Sequence, residues 1–410
     1  MARSDRRRGG RPGGSMAAAA AGLSSSSYRP ASREFAIVQT IAEKMCDPPV
    51  TATSAIMVPQ GWADLPGDLL QSIIVLLRSP HEALAFAATC RPWHAAIFTS
   101  LSTFNFFALF PPFLLQPKLP VNSLSPESFV DLMNPAAPLR CQLPWGTVNK
   151  MDYIGYSYGN LIFSHKKKYH LFDAFTGTRT NSPRLIIDKC EYPIFGVLTS
   201  PLASPDSSLL VQAGCSMYQW KVGSESWLRL DLFDHDVPIF QVANFKGEIF
   251  AMDSYGHLFT VRFKPRFIMQ SLDVLWGHDL LIPRCLVVCD DMLLLVGHWD
   301  YCFHVVRLDL SSSPKWVKVE RLENWAVFLA TEGKSQSFAC KHPERWGGRS
   351  NCIYLCGSNG HWYTFQLGET VKPSDCLETR FFNNLWCPEE QSVDVLPIWV
   401  FPGVFYRSRQ

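Results

Sequence analysis

The sequence contains no C-x-x-C pair, which removes the usual ligand spacing of a structural zinc site. It has no apolar run long enough to span a bilayer. The most apolar window, residues 104–115 (FNFFALFPPFLL), is too short and is interrupted by Pro111-Pro112. Residues 1–15 lack the apolar segment of a secretory signal peptide. Net charge is small, at +2, and Arg3, Arg6, Arg7, Arg8 and Arg11 against Asp5 leave about −2 on the remaining residues. No broad basic field is left, so neither nucleic acid nor membrane is an expected partner. Beyond residue 150 no convincing amphipathic helix appears.

What is present points to strands. Aromatic residues make up 13% of the chain and prolines number 29, which favours short strands and turns. Thirteen cysteines is an odd count, and several alternate with apolar residues, as in Cys285-Leu-Val-Val-Cys289 and Cys352-Ile-Tyr-Leu-Cys356. Spacing of four along a strand puts both thiols on one face, so these read as reduced core residues of a cytoplasmic or nuclear protein. The best metal-like cluster is His298, Cys302 and His304. These would share a face in one continuous strand, but core and turn roles are expected, with no metal and no cofactor.

Residues 1–58 are Arg/Gly-rich, then Ala/Ser-rich, and cannot bury enough surface to fold alone. A disordered leader is expected. Met16 could be a second start, and the acid-poor composition also resembles an organellar transit peptide, a less favoured reading. Helical order is expected over residues 59–101. Leu69, Leu70, Ile73, Ile74 and Leu77 form a helical stripe. Ser79-Pro80-His81-Glu82 then reads as a capping box opening a second helix, and Pro92 starts a third that carries Trp93.

Residues 102–150 read as a linker with possible strands of a first or last repeat unit. From 151 to 410 short apolar runs alternate with Gly, Asn, Asp and Ser turns. An internal repeat emerges: residues 249–261 (IFAMDSYGHLFTV) lie over residues 353–365 (IYLCGSNGHWYTF). Leu161, Leu209, Ile249, Leu294 and Ile353 as equivalent points give spacings of 48, 40, 45 and 59 residues. A second echo sets Trp227-Leu-Arg-Leu230 against Trp316-Val-Lys-Val319, each closing a unit. Units of this length with several short strands are expected to be blades of a β-propeller. The glycine doublet that strict kelch repeats carry in each blade occurs in this region at Gly347-Gly348 alone.

One catalytic pattern needs weighing. Gly155-Tyr-Ser157-Tyr-Gly159 fits G-x-S-x-G, which marks a hydrolase nucleophile with His165 or His170 as a conceivable base. That elbow needs a helix directly after the serine. Here Gly159-Asn160 reads as a turn and Leu161-Ile-Phe163 as the start of the next strand, so a serine hydrolase is disfavoured. The histidines His257 and His361, each after a turn glycine, read as turn residues. Lys166-Lys167-Lys168 reads as a solvated hairpin tip, with an acidic partner as the minor alternative.

Leu65-Pro66, Asp68-Leu69-Leu70, Ile73, Leu76, Leu84, Cys90 and Trp93 together resemble the F-box pattern. Ala88 stands where that family more often carries a larger apolar residue. With the degenerate repeats that follow, the chain resembles the plant F-box proteins whose C-terminal β-propeller-like domain has no assigned function. Further echoes are residues 155–161, Leu171-Phe-Asp-Ala-Phe-Thr-Gly177 and residues 394–402. The second has Asp173-Ala174 where Asn-Pro is usual. The resemblance implies a small all-α F-box domain followed by an all-β propeller. It implies a non-catalytic substrate receptor of a Skp–cullin–F-box ubiquitin ligase, partnered by the Skp adaptor, through it cullin, and an unidentified target protein. A protein-interaction scaffold outside ubiquitination is the alternative. The adaptor-binding residues it implies are Leu65, Pro66, Leu69, Leu70, Ile73, Leu76 and Trp93, some of which must instead be core.

Overall fold

In the computed structural model, the described residues are 61–103, 106–116, 128–136, 138–148, 150–186, 193–214, 216–230, 239–263, 266–276, 281–299, 302–329, 335–356, 362–369 and 397–406. The expected leader at 1–58, the alternative start at Met16, His361 and residues 394–396 lie outside them.

The described residues open with a 3₁₀ turn, Trp62–Asp64, and the helices α1 (Gly67–Leu76), α2 (Pro80–Thr89) and α3 (Arg91–Thr103), followed by one short helical turn, Phe106–Leu109. Ser79 caps α2 as expected, its Oγ accepting from the Glu82 amide at 3.1 Å, with Pro80 at the first helical position. The Glu82 carboxylate reaches one residue further back than a capping box requires and accepts from the Arg78 amide at 2.6 Å.

The described strands then form six four-stranded sheets, the blades of a propeller. Blade 1 takes residues 113–116, 128–130 and 139–140 together with 398–400. Blades 2 to 5 take 152–181, 193–230, 239–272 and 282–319, and blade 6 takes 325–366. A propeller sheet is covered on both faces by its neighbours, so its strands need not alternate with polar residues. Residues 293–296 show how period two survives inside a continuous apolar run. Leu293 and Leu295 pack toward blade 4, while Leu294 and Val296 pack toward blade 6.

Leu161, Leu209, Ile249 and Leu294 all lie in the second strand of their blades. Ile353 does not. In blade 6 the strand Trp325–Leu329 is inserted behind the edge strand Phe338–Lys341 and runs parallel to Cys352–Cys356. The other strand pairs described are antiparallel. The sequence repeat is thus real as a hairpin and displaced by one row, which accounts for the 59-residue spacing. Trp227 directly precedes the outer strand Leu228–Leu230 of blade 3, and Trp316 lies in the outer strand Lys315–Val319 of blade 5.

The ring closes through blade 1. The strand Phe113–Gln116, from the most apolar window of the sequence, pairs with Ile398–Val400 in the register Phe113↔Val400, Leu114↔Trp399, Leu115↔Ile398. Ends of the chain far apart in sequence thereby share one sheet. The Tyr156 hydroxyl, in blade 2, locks this seam. It donates to the Phe401 carbonyl at 2.9 Å and accepts from the Phe401 amide at 2.8 Å.

The helices join the same core. Leu70, Ile74, Leu84, Phe86 and Ile97 are continuous with Phe110, Phe113 and Phe129 of the blade 1 region. Arg345, in a 3₁₀ turn of blade 6, donates to the carbonyls of Val75 and Leu77 and so completes the C-terminus of α1. Asp131, after the second strand of blade 1, accepts from the Met133 amide at 2.9 Å. Burial raises its pKa above the ordinary carboxylate value, against smaller opposing effects of that amide, His81 and Ser79. A raised folded-state pKa means the neutral form suits the fold, so stability is lost as pH rises through that pKa. Asp131→Asn, which keeps the acceptor, is expected to gain in unfolding midpoint relative to wild type as pH rises from about 3 to 7. Paired denaturation curves at the two pH values measure this.

Candidate protein-interaction surfaces

The α1 stripe divides between two jobs. Leu70 and Ile74, four apart, point inward and are buried, and Leu65, Ile73, Leu77 and Trp93 pack half-buried against them. Trp93 is fixed twice: its ring stacks on Phe86 at 4.5 Å and its indole N–H donates to the Trp62 carbonyl at 2.9 Å. Leu69 and Leu76, seven apart and on one face, remain 51% and 75% exposed, and Pro66 is exposed beside them. Trp62, 78% exposed, and Val75, 47% exposed, add apolar surface that the sequence pattern did not single out. Of the seven residues implied for the adaptor surface, then, Leu70 is core. Leu65, Ile73 and Trp93 are partly so, and Pro66, Leu69 and Leu76 are free to touch a partner.

A second surface lies on the propeller axis. A cavity of about 360 Å³ is lined by one edge of blades 2 to 6, including Tyr156, Phe195, Gln241, Leu286 and Phe338. That shared edge is what places these strands innermost. Ser157 sits on this edge and ends the strand Asp152–Ser157. Its Oγ accepts from the Leu198 amide of blade 3 at 2.8 Å, and it is 2% exposed. Ser157 pairs with Asn160, so the turn is Tyr158-Gly159, one residue earlier than Gly159-Asn160, with φ of 49° and 81°. It is a two-residue hairpin of the type in which both residues take positive φ, and a strand follows it where an elbow would need a helix. His170 belongs to blade 2 and contacts Asn181 and Arg179.

The other motif residues resolve similarly. His298 pairs with Phe303, and Cys302 pairs with Trp299, so a tight hairpin separates them. Each pair shares a face, which puts His298 on the side opposite Cys302 and His304. The single-face placement expected for this trio is therefore wrong, because the reading treated a hairpin as one strand. Among the described residues no group of three or more His, Cys, Asp or Glu could hold a metal. His257 holds a turn: Asp253, fully buried, accepts from His257 Nδ1 at 2.8 Å and from the amides of Tyr255 and His257, each at 2.9 Å. Asp173 serves its own turn without the usual Asn-Pro, accepting from the Phe175 and Thr176 amides at 2.9 and 3.1 Å. Cys285, Cys289, Cys352 and Cys356 are buried and outside any disulfide, and burial raises the pKa of the last three. No helix among the described residues is long and apolar enough to cross a membrane.

The family model of the KIB1-4 beta-propeller matches residues 129–382. The chain belongs to the KIB1-4 beta-propeller family. The match covers blades 2 to 6 and begins within blade 1. No curated protein matches this KIB1-4 propeller chain. Solved structures similar to it include a quinonprotein alcohol dehydrogenase-like protein of Bacteroides thetaiotaomicron, at 13% identity and a TM-score of 0.34, covering 64% of this chain and 62% of that one. The Nup133 β-propeller domain of Vanderwaltozyma polyspora matches at 11% identity and a TM-score of 0.31, covering 49% and 55%. The WD40 domain of SCAP from fission yeast matches at 10% identity and 0.28, covering 50% and 56%. This chain spans less than two thirds of the length of each of these three structures.

Proposed function

We propose that this KIB1-4 propeller protein is the substrate-receptor subunit of a Skp–cullin–F-box ubiquitin ligase. The observation that carries the reading is the unburied apolar row Pro66, Leu69 and Leu76 on a helix whose opposite face is already docked. That row lies within the residues that resemble the F-box, the element by which such receptors grip the Skp adaptor. The Arg345 cap and the shared core hold the helices to the propeller, so a target bound by the blades keeps a defined position relative to the adaptor. The protein itself performs no chemistry in this scheme. It raises the effective concentration of target lysines near a charged ubiquitin-conjugating enzyme.

Pro66→Ala/Leu69→Ala/Leu76→Ala removes exposed apolar surface and leaves Leu70 and Ile74 in place. Full burial of one leucine is worth about 1.5–3 kcal/mol, so the triple variant is expected to bind purified Skp adaptor at least about tenfold more weakly. Its unfolding midpoint should stay close to wild type. In affinity capture from cell extract, wild type should recover Skp and cullin subunits and the variant should not. Recovery of neither by wild type ends the reading. Recovery of the adaptor without cullin favours a scaffold outside ubiquitination.

A further inference from the structure

The lysine run Lys166-Lys167-Lys168 does not stand alone in the fold. It forms the hairpin between the strands Asn160–His165 and Lys168–Asp173 of blade 2, at the rim of a pocket of about 740 Å³. Lys150, from the segment leading into the blade, and Arg179 and Arg184, from its outer edge, line the same pocket. The Leu185 amide donates to the Lys167 carbonyl at 2.8 Å, which pins Arg184 beside the hairpin tip. Among the described residues, His165 and His170 complete the polar lining and Thr147 and Met151 the remainder, with no acidic residue among them. Six permanent cations thus converge in one concavity of a chain whose formal net charge is only +2.

Two further observations show that this charge is concentrated. No ion pair between described residues engages Lys150, Lys166, Lys168, Arg179 or Arg184. Arg179 is instead oriented by neutral partners, donating to His170 Nδ1 at 2.8 Å and to Asn181 Oδ1 at 2.6 Å. The His170 pKa is lowered by burial, against the opposing Asn181 hydrogen bond, with smaller lowering effects of Arg179, His165 and Lys168. The hairpin itself is unusual. Lys166 and Lys167 both take positive φ, 50° and 63°, whereas the equivalent turns at Tyr158-Gly159 and Lys246-Gly247 place glycine second. Asparagine and glycine suit such positions, and lysine does not.

We infer that this blade 2 pocket is a docking site for a phosphorylated segment of a partner protein. Clustered lysine and arginine donors match the oxygens of a phosphorylated side chain, arginine in bidentate fashion. The described lining offers no aromatic ring on which a nucleic-acid base could stack, which argues against single-stranded nucleic acid. The pocket is concave and local, suited to one or two phosphorylated side chains. It is built from blade 2 and the segment before it, so the inference stands whether or not the helices bind a Skp adaptor.

The test uses the full chain and a degenerate peptide library with a fixed central pair of phosphoserines, beside the same library unphosphorylated. Phosphorylated peptides are expected to be retained at least tenfold over unphosphorylated ones. Retention should fall with rising salt and be competed by pyrophosphate. Lys166→Glu/Arg184→Glu, at two exposed positions, should lower it more than tenfold, and the milder Lys166→Gln/Arg184→Gln should lower it in part with unchanged unfolding midpoint. Equal retention of the two libraries, or retention insensitive to both double variants, overturns the proposal. So does tighter binding to a single-stranded RNA oligonucleotide or to phosphatidylserine vesicles than to the phosphorylated library.

Discussion

Gly159→Ala is expected to lower the stability of the propeller by about 2–5 kcal/mol, although it adds one methyl group. Gly159 has φ of 81°, and a Cβ there would lie 2.3 Å from the Gly403 Cα and 2.4 Å from its amide nitrogen. Those atoms belong to backbone immediately after the closing strand and cannot swing aside as a side chain would. The control is built into the fold. Gly247 occupies the equivalent hairpin of blade 4 with the same φ of 81°, yet a Cβ there meets nothing within 4 Å. Gly247→Ala should therefore show only the left-handed backbone cost, about 1–2 kcal/mol. Chemical denaturation of both variants separates strain from packing. Equal losses would mean that the Gly403 backbone can move away from the turn, and the seam would be looser than its geometry implies. Ser157→Ala in the same motif removes the acceptor of the Leu198 amide and should cost about 1–3 kcal/mol.

The second large effect is expected at Trp399. This side chain is fully buried on the closing strand, opposite Leu114, with its ring 5.1 Å from that of Phe328 in an edge-on arrangement. Trp399→Ala should cost about 3–5 kcal/mol. Because the strand has three residues, that loss should also free the seam locally. Limited proteolysis is then expected to cut near residue 400 in the variant before the blades are degraded. Tyr156→Phe should act on the same seam by removing both hydrogen bonds between its hydroxyl and Phe401. The two changes share one strand, so their combined cost should be less than their sum. Strict additivity would show that the hydroxyl and the indole hold independent structures.

Much of the architecture was legible because local chemistry set it. The Ser79 cap and Pro80 start α2 through bonds within a few residues, and the hairpins around Leu161, Leu209, Ile249 and Leu294 follow from short apolar runs between turn residues. Errors arose where one residue of offset reverses a side chain. Tyr158, not Asn160, shares the turn with Gly159, and a hairpin after Trp299 sends His298 to the opposite face from Cys302. A period of two cannot warn of such a reversal, because the same letters fit a straight strand or a tight turn.

By itself, then, the sequence determined a helical segment, a series of strand hairpins and the residues able to cap, turn and pack within each. Local propensity and spacing suffice for those. Only the tertiary structure decided that Phe113–Gln116 and Ile398–Val400 share a sheet, and that Trp325–Leu329 is inserted to run parallel to Cys352–Cys356. It also decided that Leu70 is core while Leu69 and Leu76 are not, and that Lys150, Arg179 and Arg184 gather around a lysine turn. Each of these depends on contacts between distant parts of the chain, where ring closure and blade stacking select one face of an element that is apolar on both.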